Sequence, residues 1–293
     1  MFIGVRRFYL DLVPFSPFFS VVFCFLCSIV DSMLGFWVFL ELCGLSIIPC
    51  FFYSGGVSIY GFYSSLLTYI IMSGVSSVLL VSGVLFSGLY LFIYFGFAVK
   101  FGLFPTILWV YRVFSESNWF FIFFLSVILK FPVLFFCFLF QGCNLWLVYG
   151  DCFFTILVCS GLVWFFSNDW TYVWCHVSLS SISTLVVACF CAEPIVCFFV
   201  YFYYFIWSTF CILFFFSLED NKSFFGGAWV FCFLLLVTPL SLPLFYKLGV
   251  CISIFYSSFY LLFVWSLYSF SEQFFLFKLW GDYFYSSSFN FWV

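Results

Sequence analysis

The chain has 293 residues, of which 67% are hydrophobic and 6% charged, with 56 phenylalanines and a formal net charge of −3. Its mean hydropathy of +1.29 lies far outside soluble globular usage and inside the membrane class. The single histidine, His176, excludes cytochromes b and the large oxidase subunits, which need several axial or metal-binding imidazoles.

Phe, Trp, Cys, Val and Gly are read from codons rich in T and G, whereas Pro, His and Gln need C or A. The composition therefore points to a T-rich, organellar-style genome that writes apolar positions as Phe. Cys24 and Cys27 form the only C-x-x-C, inside an apolar run and followed by Ser28. That spacing carries neither c-type haem attachment nor a repeated zinc-ligand pair, so no metal site is expected. The cysteines read as apolar filler.

A spanning helix needs roughly 20 apolar residues. With breaks at Gly, Pro, Asn and charged clusters, the chain divides into about ten spans, near 8–30, 33–54, 58–82, 84–113, 119–141, 147–167, 171–192, 194–217, 227–251 and 252–270. The segment 274–293 is aromatic but holds Lys278, Gly281 and Asp282, and is a candidate eleventh span. No loop is long enough for a soluble domain, and the first apolar run is too long for a cleavable signal. The expected fold class is an all-α polytopic membrane protein forming one transmembrane domain over 1–293.

Along these spans four ionisable residues stand where charge is costly: Glu41 in the second, Lys100 in the fourth, Lys130 in the fifth and Lys247 in the ninth. A charge at mid-membrane costs about 2.5–3.5 kcal/mol on insertion scales, and such residues mark ion or proton pathways. The plainer alternative is a structural Lys–Glu pair, or lysines that snorkel to the interface. Gly102 and Pro105 follow Lys100, and Pro239 and Pro243 precede Lys247. Pro removes a backbone hydrogen bond, so two discontinuous helices are expected, each broken beside a lysine. Pro132 does the same beside Lys130.

Outside the spans, Arg6, Arg7, Arg112, Lys222 and Lys278 all fall on the side of the N-terminus if the spans alternate. Asp31, Asp151 and Glu193 fall in the opposite loops. Basic residues resist translocation, which directs the N-terminus to the matrix or cytoplasm. His176 has no partner cluster and reads as structural or interfacial.

Three motifs carry a family resemblance. Leu40-Glu41-Leu42-Cys43-Gly44-Leu45-Ser46-Ile47-Ile48-Pro49 resembles the Glu-bearing helix of NADH dehydrogenase subunit 2, L-E-hydrophobic-N-x-L-S-x-I-P, with Cys43 in place of Asn. Lys100-Phe101-Gly102-Leu103-Phe104-Pro105-Thr106-Ile107-Leu108-Trp109 resembles the same family's K-L-G-x-x-P-F-H-F-W, with Ile107 in place of His. Ser180-Ser181-Ile182-Ser183-Thr184-Leu185 resembles S-S-I-[ST]-H-[LM], with Thr184 in place of His. Lys130 stands where the family has its second lysine, and Pro239 with Lys247 resembles its last broken helix. The resemblance runs from about residue 8 to 270.

It implies an antiporter-like fold and a proton-translocating subunit of respiratory complex I, in the mitochondrial inner membrane with its N-terminus in the matrix. In that family Glu41 would modulate Lys100, Lys130 would pass protons along the membrane midplane and Lys247 would exchange with the far side. Hydroxyls such as Ser180, Ser183 and Thr184 would link them. The resemblance further implies no redox cofactor on this chain, with NADH, FMN, iron–sulfur clusters and quinone on other subunits. Partners would be the other membrane-arm subunits and lipids, not nucleic acid. Sister subunits 4 and 5 share the Glu and the first Lys, but subunit 4 usually has Glu in place of Lys247 and subunit 5 is much longer. An independent cation/proton antiporter and a structural scaffold are the remaining alternatives.

Overall fold

The computed structural model describes residues 3–53, 59–140, 144–167, 169–219 and 227–284. Among them every regular element is helical. The α-helices are α1 (Ile3–Ile29), α2 (Met33–Ser46), α3 (Ile59–Leu85), α4 (Leu91–Phe101), α5 (Leu108–Ser115), α6 (Trp119–Ser126), α7 (Phe131–Leu139), α8 (Leu145–Phe166), α9 (Trp170–Cys191), α10 (Pro194–Glu219), α11 (Gly227–Leu234), α12 (Leu242–Phe255) and α13 (Phe259–Phe284). Short 3-10 turns follow α2 (Ile48–Tyr53), precede α4 (Ser87–Leu89) and join α6 to α7 (Ile128–Lys130).

Six stretches are long and apolar enough to cross a bilayer: Met33–Phe51, Tyr63–Leu85, Trp119–Leu139, Leu145–Phe165, Trp170–Cys191 and Pro194–Glu219. Phe15–Ile29, Leu91–Phe101 and Leu242–Phe255 are shorter apolar helices. The outward face of α10 presents Ile195, Phe199, Phe202, Ile206, Phe210 and Leu213 at three- and four-residue spacing, all exposed. A stripe of that size is an aggregation hazard in water, whereas lipid accepts it without cost. The chain is an all-α multi-pass membrane protein.

The centre of the bundle is α9. Every residue from Val173 to Cys189 is buried, and α9 packs against α5, α7, α8, α10 and α12. A helix covered on all sides needs no polar face, so its serines and threonine are not there for solvent. On one flank α3 lies tightly against α4. A Cβ added to Gly96 would sit 2.8 Å from the Leu80 amide nitrogen and from the Ser76 carbonyl oxygen, and one on Gly83 would sit 2.7 Å from the Ile93 nitrogen.

Three expected spans are interrupted, two of them beside Lys100 and Lys130 and the remaining one just before the helix that carries Lys247. The first, expected at 84–113, breaks after Phe101, where Gly102 adopts the left-handed φ of 72° that a Cβ disfavours. The freed backbone is satisfied from within the bundle: Trp109 Nε1 donates to the Val99 carbonyl at 3.0 Å, and the Phe104 amide donates to Thr155 Oγ1 of α8 at 2.9 Å. The Phe104–Pro105 peptide is cis.

The second interruption runs between α11 and α12. Gln273 of α13 closes it, its Oε1 accepting from the Val237 amide at 2.8 Å and its Nε2 donating to the Leu235 carbonyl at 3.3 Å. Trp207 Nε1 donates to the Leu234 carbonyl at 2.7 Å. Pro239 lies in this gap. Pro243, expected to break the helix as well, sits instead in the first turn of α12, where a missing amide proton costs nothing.

The third interruption divides the span expected at 119–141 at Val127, immediately before the 3-10 turn that ends on Lys130. Tyr204 donates to the Ser126 carbonyl at 3.2 Å, and Tyr201 to that of Val127 at 3.3 Å. Backbone freed at membrane depth requires partners of this kind.

Two further boundaries differ from expectation. The gap expected between the spans at 252–270 and 274–293 is bridged by the unbroken α13, while α12 runs on to Phe255; Glu272 and Gln273, which fall in that gap, are bonded inside the bundle. Residues 285–293 lie outside the described residues. Asp151, counted with the loops, lies within α8. The loop bearing Lys222 also lies outside the described residues.

Candidate functional site

Glu41 of α2 and Lys100, in the last turn of α4, form a direct ion pair. Both side chains are shielded, at 17% and 7% exposure. Ser73 of α3 donates to the second carboxylate oxygen at 3.4 Å. A Cβ added at Gly44 would crowd the Tyr69 hydroxyl at 3.3 Å and meet Lys100 Nζ only at an ordinary contact of 3.7 Å. Two oil-embedded charges thus neutralise each other across α2 and α4, as burial of either requires.

Lys130 is 0% exposed and is held differently. Its Nζ donates to the Ser178 carbonyl at 2.9 Å, to Ser181 Oγ at 2.5 Å and to the Tyr204 hydroxyl at 2.7 Å. It also lies 4.0 Å from the Tyr204 ring centroid. All three ammonium protons are therefore satisfied by oxygens of α9 and α10, and none of those oxygens is a carboxylate. Lys247, in α12, meets Glu272 of α13 at 3.1 Å and donates to Ser269 at 2.9 Å.

The hydroxyls of α9 fall into distinct roles. Ser180, Ser181, Ser183 and Thr184 each donate to the carbonyl three residues earlier, at 3.0, 2.7, 2.8 and 3.1 Å, which leaves their oxygen lone pairs open as acceptors. Ser181 uses its own for Lys130. Ser180 lies near the Tyr268 hydroxyl of α13 without bonding it, and Thr184 lies near the Tyr246 hydroxyl of α12. Ser183 bonds back to Ser180 and has no hydrogen bond to any of the three lysines. Beside Lys100 lies a cavity of about 30 Å³ that also reaches Ser73, Ser126 and Ser178 among mostly apolar side chains, room for a water or two.

Of the partners of Lys130 and Lys247, Ser181 alone falls inside a quoted motif. Glu272 falls in the gap between the expected spans 252–270 and 274–293, Ser269 near the end of the first of them, and Tyr204 among the aromatic filler of α10. A tyrosine hydroxyl buried among phenylalanines was the one available signal, since such a group needs a hydrogen-bond partner. Among the described residues no three His, Cys, Asp or Glu side chains converge to hold a metal ion.

Fold and site together define a multi-pass helical membrane protein with ionisable groups in contact across its interior, at helix interruptions. No family model and no curated protein matches the sequence. Among solved structures, the fold is similar to a chain of respiratory complex I from Thermus thermophilus with bound aureothin, at a TM-score of 0.74 and 13% identity, over 89% of this chain and 68% of that one. At that identity the likeness is one of fold.

Proposed function

We propose that this chain is a proton-translocating membrane subunit of an NADH:quinone oxidoreductase, of the subunit 2 type. Its place would be the mitochondrial inner membrane, with the N-terminus in the matrix. Redox chemistry would belong to other subunits carrying NADH, FMN, iron–sulfur clusters and quinone, and this chain would contribute Glu41, Lys100, Lys130 and Lys247. The observation that carries this reading is that all three intramembrane lysines are shielded within the bundle, Lys100 and Lys130 beside helix interruptions and Lys247 in the helix that follows one, each on a different set of oxygens. The fold likeness to a complex I chain and the motif resemblance agree with it.

The chemistry follows from burial. A dry site disfavours the ammonium and an adjacent carboxylate favours it, so a change in the separation of Glu41 and Lys100 moves a proton onto or off the lysine. The small cavity beside Lys100 would admit water toward Ser126 and Ser178, and so toward Lys130. Beyond it, Ser181, Thr184 and Tyr246 lead to the Lys247–Glu272 pair. Charge would thereby pass through the midplane by short hops between oxygens.

Lys100→Met tests this, because methionine keeps the unbranched stem and drops the charge. The variant should assemble into a large complex on a mild-detergent native gel, yet pump far fewer protons per NADH oxidised. Assembly with a normal pumping ratio would return Lys100 to a structural role. A chain that never co-migrates with NADH dehydrogenase activity would instead be an independent antiporter.

A further inference from the structure

The only imidazole in the chain lies outside the relay described above, yet its surroundings are those of a working group. His176 is 1% exposed on α9. Its Nδ1 lies 2.6 Å from the Tyr111 hydroxyl of α5, while its Nε2 is buried with no hydrogen-bond partner among the described residues. A neutral imidazole carries one donor and one acceptor, so either tautomer leaves Nε2 unanswered. Buried polar atoms are nearly always paired, and packing alone would be served by an apolar ring.

The position meets the relay on one side. One helical turn along α9, Ser180 lies near the Tyr268 hydroxyl, which is itself close to Glu272, the partner of Lys247. Tyr268 in turn stands within electrostatic reach of Tyr111, as do Cys159 of α8 and Cys175. Tyr111 belongs to α5, immediately past the interruption at Gly102. His176 thus bonds Tyr111 of α5, whose hydroxyl lies 3.9 Å from Cys159 Sγ of α8. It lies six residues, about 9 Å at the helical rise, from the Trp170 end of α9.

We propose that His176 is a proton station through which protons enter or leave the Lys247–Glu272 site from the Trp170 end of α9, with Tyr111 as its positioning residue. This rests on the proton-translocation reading above. With Nδ1–H donating to the Tyr111 oxygen, the Nε2 lone pair stands open. One proton adds there to give the imidazolium, and the same N–H bond breaks when the proton passes on. No electrons are exchanged, and Tyr111 holds ring and tautomer throughout, as the second nitrogen's partner does for functional histidines.

The test is His176→Asn, with Tyr111→Phe and Lys100→Met beside it, in the assembled membrane complex. Asn keeps a hydrogen bond toward Tyr111 and cannot take up a proton. His176→Asn should assemble on a native gel and oxidise NADH normally with an artificial acceptor, while the rate of proton translocation falls about tenfold or more, the scale of losing a positioned acid–base group. Tyr111→Phe should assemble and lower translocation less. If His176→Asn pumps at the normal rate while Lys100→Met does not, the station is refuted and the relay stands. If Lys100→Met also pumps normally, the relay itself fails. Should His176→Asn not accumulate, Tyr111→Phe decides: normal translocation in it overturns the proposal, and loss of assembly in both variants assigns the pair to packing and overturns it too.

Discussion

Lys247 of α12 lies 3.1 Å from Glu272 of α13, so the third intramembrane lysine takes its countercharge from the last described helix. Glu41 answers Lys100 in the same way at the other end of the row. Lys130, between them, is met by neutral oxygens alone. The two ends of the row are charge-balanced and its middle is not, an arrangement suited to a charge that arrives and leaves.

We predict that Glu272→Gln lowers the amount of folded protein in the membrane, because it leaves the largely shielded Lys247 ammonium without a countercharge. Breaking a buried pair in this way costs about 3–5 kcal/mol. Adding Lys247→Met should recover most of the loss, since both charges are then gone. Equal or additive losses in the double variant, measured as thermal stability in detergent, would show that the two residues do not act as a pair.

Ser181 and Ser183 are two residues apart on α9, and only Ser181 reaches Lys130. We predict that Ser181→Ala and Tyr204→Phe each destabilise the protein by about 1–3 kcal/mol, the cost of an unsatisfied buried donor. Ser183→Ala, buried as well but bonded only back to Ser180, should cost about 1 kcal/mol or less, the net worth of one such hydrogen bond. A thermal shift for Ser183→Ala as large as that for Ser181→Ala would mean the cradle is drawn around the wrong hydroxyl.

Gly102 combines a φ of 72° with a Cβ position 2.2 Å from Val110 Cγ2. We predict that Gly102→Ala destabilises by about 1–3 kcal/mol from backbone strain, with the steric clash on top. Trimming the neighbour with Val110→Ala should relieve only the clash. Complete rescue by Val110→Ala, followed by heat-induced unfolding, would show that the left-handed conformation itself carries no cost.

The contact of α3 with α4 supplies a matched control. Gly96→Ala should reduce folded yield, because the new methyl meets backbone atoms of Ser76 and Leu80 that cannot give way. Gly74→Ala, on α3, meets nothing within 4 Å and should be neutral or slightly stabilising, as alanine is the better helix former. Comparable yields for the two variants would place the close approach elsewhere.

Glu41, Lys100, Lys130 and Lys247 stood out from sequence because the expense of a charge in oil depends only on its neighbours along the chain. Gly102 and Pro239 could be placed for a similar reason, since each acts on its own backbone. The interruption at Val127 was half visible through Pro132, though what opens it is the pair of tyrosines on α10 that take the freed carbonyls.

What sequence could not show was who answers each charge. Ser181 and not Ser183 meets Lys130 because a turn of about 100° per residue separates neighbouring hydroxyls on a helix, and only the packing of α9 against α7 and α10 sets the phase. Glu272 read as a break and His176 as an isolated ring, because their partners lie on other helices and leave no trace in local spacing. By itself the chain determined that it lives in a membrane, where its charges sit and where its helices weaken, all consequences of burial cost and backbone chemistry. The tertiary structure alone decided which helix supplies each counter-oxygen, because in lipid that choice belongs to interhelical packing and hydrogen bonding.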